Sequence, residues 1–276
     1  MAVFSLFSAA IALNWFARFF MIIPFGRQRK NGSRRFVKSG RDAFALASGA
    51  WLTQSRRLID TQVQLKEFLP KLRKTSWVSL DTEADSLHSY PEKLCLLQVS
   101  LPGIDVLVDP LASLDVALLF KALASKELLI HGCDNDLRLM YAANQFVPAR
   151  VFDTMWAARL LGFAAFGLND LLSKLLGITL DKGSQKANWT RRPLTEKMTI
   201  YALNDSRHLR ALADKLRDAL KAKGRITWHQ QICERLVREH AAPKAPNPDQ
   251  AWRLKGSSKL NRREQAILRA ACQWRE

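Results

Sequence analysis

No C-x-x-C pair occurs among the four cysteines of this 276-residue chain, Cys95, Cys133, Cys233 and Cys272, and no histidine stands at zinc-finger spacing from them. Their separation argues against a structural zinc site and a disulfide framework, and for free thiols in a reducing, cytoplasmic compartment. Cys95 lies in an apolar run and reads as core. There is no internal repeat and no low-complexity segment beyond a basic stretch at 27–41. Acid is scarce: 25 Asp and Glu face 43 Lys and Arg, and none precedes Asp42. Of the net charge of +18, residues 1–60 carry +8, residues 61–240 only +5 and residues 241–276 another +5. Such a balance favours a polyanionic partner, nucleic acid or an anionic membrane surface, without selecting between them.

Residues 1–26 are apolar apart from Arg18 and a few small polar residues, and Arg27, Arg29, Lys30, Arg34 and Arg35 follow. A secretory signal puts its positive charge before the apolar run and ends on a small-residue cleavage site; neither is present. Three readings stay open: a peripheral extension of a cytoplasmic protein, a membrane-associated helix, or an organelle transit peptide.

From about Leu58 the texture is that of a folded domain. Val63, Leu65, Phe68, Leu69 and Leu72 follow a capping Asp60 or Thr61 at helical spacing. Strands are expected at Trp77 to Glu83, Leu94 to Ser100 and Asp105 to Asp109, the last two joined by the turn Pro102-Gly103. Helix and strand then alternate: a helix at Leu114 to Ser125, a strand at Glu127 to His131, a helix at Asn135 to Phe146 and a strand at Val151 to Phe152. Helices take over at Thr154 to Gly162, Leu168 to Leu176, Thr195 to about Lys223, and Trp228 to His240. Three antiparallel strands followed by two parallel ones with packed helices define a mixed α/β sheet. Residues 241–249, with Pro243, Pro246 and Pro248, read as a linker, and Asn261 to Trp274 as the start of another helical unit.

Within this frame Val78 and Leu80 alternate with Ser79, Asp81 and Glu83, so the two carboxylates point the same way at a strand end. Side by side they repel unless a cation sits between them, which suggests a divalent metal; a solvated strand end is the plainer alternative. Asp136 falls in the first turn of the helix after the fourth strand, where it would also favour the helix dipole. Tyr201 and Asp205 lie four apart on one helix face, as a surface pair would. Asp153 reads as a helix cap.

Taken together, Leu80-Asp81-Thr82-Glu83, His131-Gly132-Cys133-Asp134-Asn135-Asp136-Leu137 and Tyr201-Ala202-Leu203-Asn204-Asp205 resemble the three motifs of the DEDD superfamily of 3′-5′ exonucleases. The tyrosine places the likeness in the subgroup with that residue in its third motif, closest to the ribonuclease D family. Leu180 to Ser184 and Trp189 to Thr195 resemble the stretch before that motif. The likeness covers about residues 56–240, and Ala251-Trp252-Arg253 resembles the start of the HRDC helical region that follows in ribonuclease D, of which only the first part is present. The chain departs from the family after Glu83, with Ala84-Asp85 where an aromatic is usual.

The resemblance implies a ribonuclease-H-like fold, with an exonuclease domain at 51–240 between the extension 1–50 and the linker 241–249. It implies two divalent ions, Mg²⁺ or alternatively Mn²⁺, about 4 Å apart. By similarity Asp81 bridges both, Glu83 and Asp205 complete the first, Asp136 holds the second through water, and Tyr201 orients the attacking water; His208 gains no role. Oxygen-only ligands suit Mg²⁺. Lys182, Lys186, Arg191 and Arg192 are expected to take phosphates and Trp189 to stack on a base, the alternative being a core tryptophan with solvated charges. The activity implied is trimming of structured RNA such as transfer RNA precursors, with a DNA exonuclease or a non-catalytic RNA-binding module as alternatives. Deleting residues 1–50 is expected to weaken RNA affinity and flatten its salt dependence without abolishing cleavage. An unchanged slope of affinity against salt would show that the basic stretch does not touch RNA.

Overall fold

The computed structural model of the chain describes residues 57–181, 183–241 and 252–275. The apolar and basic N-terminal extension and the proline-containing linker, with their membrane and targeting readings, lie outside these residues. No helix of the described residues is long and apolar enough to cross a membrane.

Six strands form one sheet among the described residues: β1 (Leu58–Ile59), β2 (Trp77–Ala84), β3 (Leu94–Leu101), β4 (Ile104–Val108), β5 (Glu127–Ile130) and β6 (Arg150–Asp153). Their order across the sheet is β1-β4-β3-β2-β5-β6. Short links make β2, β3 and β4 antiparallel, whereas β5 and β6, each reached through a helix, run parallel to β2. The expected mixed sheet is present with one strand more. Leu58–Ile59 pairs in parallel with Leu107 and Val108 at the edge, a stretch too short to show any period in sequence. All eight residues of β3 are buried, as befits a strand covered on both faces.

One face of the sheet is covered by α1 (Gln62–Arg73), α2 (Ala117–Leu123) and α3 (Asp134–Asn144). Leu65, Phe68, Leu72, Leu123 and Leu137 there pack with Val78, Leu80, Leu97 and Val99 of the strands. The other face is divided. Over the parallel half, α4 (Thr154–Leu161), α5 (Leu168–Leu176) and α7 (Leu209–Ala222) enclose Leu129 and Phe152. Over the antiparallel half lies α6 (Glu196–Arg207), whose Met198, Ala202 and Leu203 pack with Leu96 and Leu107. After α8 (Ile226–His240) comes a short turn at Ser257–Lys259 and α9 (Arg262–Arg275).

The single helix expected from Thr195 to about Lys223 is two helices that break at His208. The apolar spacing runs through the break, because α6 buries Ala202, Leu203 and Ser206 and α7 resumes with Leu209, Leu212 and Ala213. Tertiary partners separate them. Ser206 meets the Ser100 hydroxyl of β3 at 2.9 Å, Arg207 pairs with Asp105 of β4 at 3.2 Å, and α7 turns to the parallel half.

Asp153 caps α4 by accepting from Met155 N and Trp156 N, as the sequence suggests, but it also accepts from Gly132 N at 3.2 Å and Cys133 N at 2.8 Å. One fully buried carboxylate thus ties the β5–α3 turn to the start of α4. Gly132 in that turn has φ of 76°, a left-handed conformation that glycine adopts without a side-chain clash. Asp153→Ala would leave these amides without an acceptor in a buried position, and a loss of roughly 3 kcal/mol or more is expected by urea denaturation, with Asp153→Asn intermediate. A change below about 1 kcal/mol would show that the turn does not depend on this carboxylate.

Candidate active site

Strand alternation divides the end of β2 between two layers. Val78 and Leu80 enter the core under α1 and α3, so Asp81 and Glu83 face α6. There they meet Asp205. The carboxylate oxygens of Asp81, Glu83 and Asp205 can all lie within 4.8 Å of one another. Thr82, on the opposite face, donates its hydroxyl to Asp136 at 2.6 Å. Asp136 therefore comes from α3, across the sheet from α6; it is not one of the trio within 4.8 Å, yet its charge acts on Asp81 and Glu83. Thr82 was not singled out from sequence, although it sits between the two acids of the first motif.

The electrostatics follow from burial and like charge. Burial, then repulsion from Asp136, Asp205 and Glu83, holds the Asp81 carboxyl well above the usual range. Burial, then Asp205 and Asp136, pushes Glu83 up to about 9. Asp136 and Asp205 rise to about 7, chiefly through burial, with the Thr82 hydroxyl and the Tyr201 hydroxyl working in the opposite direction. Among the described residues no lysine or arginine is one of the charges that shift Asp81 or Glu83. Three hard oxygen donors crowded together form a set that a divalent metal ion fits.

Tyr201 donates its hydroxyl to Asp205, one turn further along α6, and its ring lies 6.1 Å from that of Trp189. Thr195 caps this helix by accepting from Met198 N. Beside Tyr201, Asp181, Gly183, Glu196, Lys197, Ile200 and Asn204 line a cleft of about 290 Å³.

Two of the expected nucleic-acid contacts are corrected. Trp189 is buried at 2% exposure among Leu96, Leu107 and Met198, so its ring is not presented to a base. Arg192 is engaged by the protein. Its guanidinium takes both oxygens of Asp109, at 2.7 Å for Nη2 to Oδ1, and donates to the carbonyls of Trp189 and Cys95. An acid at the end of β4 outcompetes a phosphate because the pair is bidentate and largely buried. Lys186 and Arg191 are exposed, and Lys182 lies outside the described residues. Asp85, where the family usually has an aromatic nearby, is buried and accepts from Lys93 N at 2.6 Å, closing the loop that leaves β2. All four cysteines are free and buried.

Residues 56–221 match the 3′-5′ exonuclease family. Ribonuclease D of Granulibacter bethesdensis is 32% identical over 226 residues, covering 80% of this chain and 57% of that protein. Ribonuclease D of Gluconacetobacter diazotrophicus is 33% identical over 223 residues, covering 79% and 56%. The chain thus spans somewhat over half the length of these relatives. Among solved structures, Escherichia coli RNase D, an exoribonuclease involved in structured RNA processing, superimposes with a TM-score of 0.68 at 26% identity, covering 79% of this chain and 58% of that one.

The raised carboxyls make metal-free stability depend on pH. The folded state retains protons that the unfolded chain releases from about pH 4 upward, so this contribution is present in acid and is lost as pH rises through about 7 for Asp136 and Asp205 and about 9 for Glu83. In chelator the melting temperature is expected to fall from pH 5 to pH 9, and the Asp81→Asn, Glu83→Gln double substitution to flatten that fall. An equal slope in both proteins would show that the carboxylates do not crowd one another in solution.

Proposed function

Since the chain belongs to the 3′-5′ exonuclease family, we propose that it is a metal-dependent 3′-5′ exoribonuclease that releases nucleoside 5′-monophosphates from structured RNA such as transfer RNA precursors. The observation that carries this reading is the convergence of Asp81, Glu83 and Asp205 from two distant segments onto one spot. The preference for RNA draws on the likeness to the RNase D proteins. Residues 51–240 constitute the exonuclease domain in this reading, and the buried free thiols are consistent with a cytoplasmic setting.

Phosphodiester hydrolysis needs an activated water, compensation for charge building on the phosphate, and release of an alkoxide. Divalent ions, Mg²⁺ in this proposal and two in number, supply a Lewis acid for the phosphate oxygens and lower the pKa of a bound water. Asp81 would contribute ligand oxygens to both ions, Glu83 and Asp205 to one of them, and Asp136, held by Thr82, to the other. Tyr201, whose hydroxyl bonds Asp205, would orient that carboxylate and the attacking water in this reading. Exposed Lys186 and Arg191 serve the RNA backbone.

End-labelled RNA and DNA incubated with Mg²⁺ or chelator test the reading, with mononucleotides from the RNA 3′ end expected only with Mg²⁺. Preferential cleavage of DNA would make the chain a DNA exonuclease, and no release from either would leave a binding module. Asp81→Ala is expected to abolish cleavage by several orders of magnitude while folding normally. Tyr201→Phe is expected to lower the rate about 10- to 1,000-fold while moving the Mg²⁺ requirement less than Asp205→Asn does. Equal weakening of Mg²⁺ binding by both substitutions would assign Tyr201 to the scaffold.

A further inference from the structure

Directly across the ladder from Asp81 lies Gln98, its Cα partner in the antiparallel β2–β3 pair. Cross-strand partners project from the same face of a sheet, with Cβ atoms about 4.5–5.5 Å apart. Gln98 therefore rises beside Asp81 into the layer occupied by α6. Its neighbours agree with this placement: Leu96, two residues before it, and Leu107, its partner on β4, both pack with Ala202 and Leu203 of α6.

Gln98 is fully buried, yet neither its Nε2 nor its Oε1 has a hydrogen-bond partner among the described residues. An unmet buried amide is destabilising, whereas a leucine of similar volume would carry no such penalty. The rest of β3 on both faces is apolar or satisfied: Leu94, Leu96, Leu97, Val99 and Leu101 are core, and Ser100 bonds Ser206. The unmet amide thus occupies the one cross-strand position opposite Asp81. Ser79, two residues before Asp81 and on the same face, has an orphaned hydroxyl as well.

We propose that Gln98 is a positioning residue for Asp81, its Nε2–H donating to a carboxylate lone pair that the divalent cations leave free and so fixing the orientation of the group. The inference rests on the metal-dependent reading given above. A neutral amide suits the task because it stabilises an ionised carboxylate without adding a charge that competes with the cation, as partners of metal-bound carboxylates do. The Ser79 hydroxyl is the matching donor for Oε1. In this arrangement Asp81 is held from two sides, by the Thr82 backbone amide already on it and by Gln98.

The test follows Mg²⁺-induced thermal stabilisation of the full chain, first stripped with chelator. Relative to the unsubstituted protein, Gln98→Leu is expected to keep or raise the metal-free melting temperature, because it removes the orphaned amide. It is expected to raise the Mg²⁺ concentration at half-maximal stabilisation about 10- to 100-fold, the range for loss of a partner behind a metal ligand. Gln98→Met, which preserves the unbranched shape, should behave alike. A half-maximal concentration unchanged in both variants, or failure of both to fold even with Mg²⁺, assigns Gln98 to the scaffold and overturns the proposal. If the unsubstituted protein shows no Mg²⁺-linked shift, the metal reading itself falls and this inference falls with it; a shift in that protein with none lost in the variants overturns the inference alone.

Discussion

Carboxylates that lie within 4.8 Å of one another in a half-buried place repel, and most of the surrounding structure works to hold Asp81, Glu83 and Asp205 there all the same. Crowding of this kind has no benefit for a metal-free fold, since burial and like charge both oppose ionisation. It becomes favourable when a cation is shared among the oxygens, so the folding free energy of the scaffold and the metal affinity of the site are linked quantities. A scaffold that tolerates the repulsion must be rigid on both sides of it.

On one side rigidity comes from β2 itself, paired to β3 and β5 and buried up to Leu80. On the other it comes from α6. That helix is seated by its apolar face on Leu96 and Leu107, by the buried contact of Ser206 with Ser100, and by the ion pair of Arg207 with Asp105. These contacts flank Asp205 directly in sequence. The segment leading into α6 is held in turn by Arg192, clamped on Asp109 and on the carbonyls of Trp189 and Cys95, with Trp189 closing the core beneath Tyr201. Trp189 and Arg192, two of the residues that looked like nucleic-acid contacts, are thereby fasteners for the helix that delivers Tyr201 and Asp205.

The fourth acid is delivered by different means. Asp136 belongs to the layer opposite α6, and the turn that aims it depends on Gly132 and on the amide-binding carboxylate of Asp153. Thr82 then joins the two layers, because alternation along β2 sends its side chain to α3 while its neighbours go to α6. A single strand of the sheet thus addresses both halves of the site.

Much of this was legible in sequence. The period-2 pattern placed Asp81 and Glu83 on one face, the spacing of four placed Tyr201 and Asp205 on another, and the switch from short links to helical connections marked where antiparallel strands give way to parallel ones. Local periodicity reports which way a side chain points relative to its own element, whereas joining the acids into one site took the resemblance to the exonuclease motifs. Periodicity does not report what the side chain meets. Whether Trp189 and Arg192 faced a ligand or the core was decided by Asp109, 83 residues away from Arg192, and by the fit of α6 to the sheet. The edge strand Leu58–Ile59 exists only because β4 offers it a free ladder, and the break at His208 only because α6 and α7 pack on different halves of the sheet. The sequence by itself determined the chemistry of the site and the order of the elements that carry it, since both reside in residue type and short-range spacing. Which polar groups became fasteners or orphans was decided by the tertiary structure alone, because partnership in a buried, low-dielectric interior depends on contacts between segments far apart in the chain.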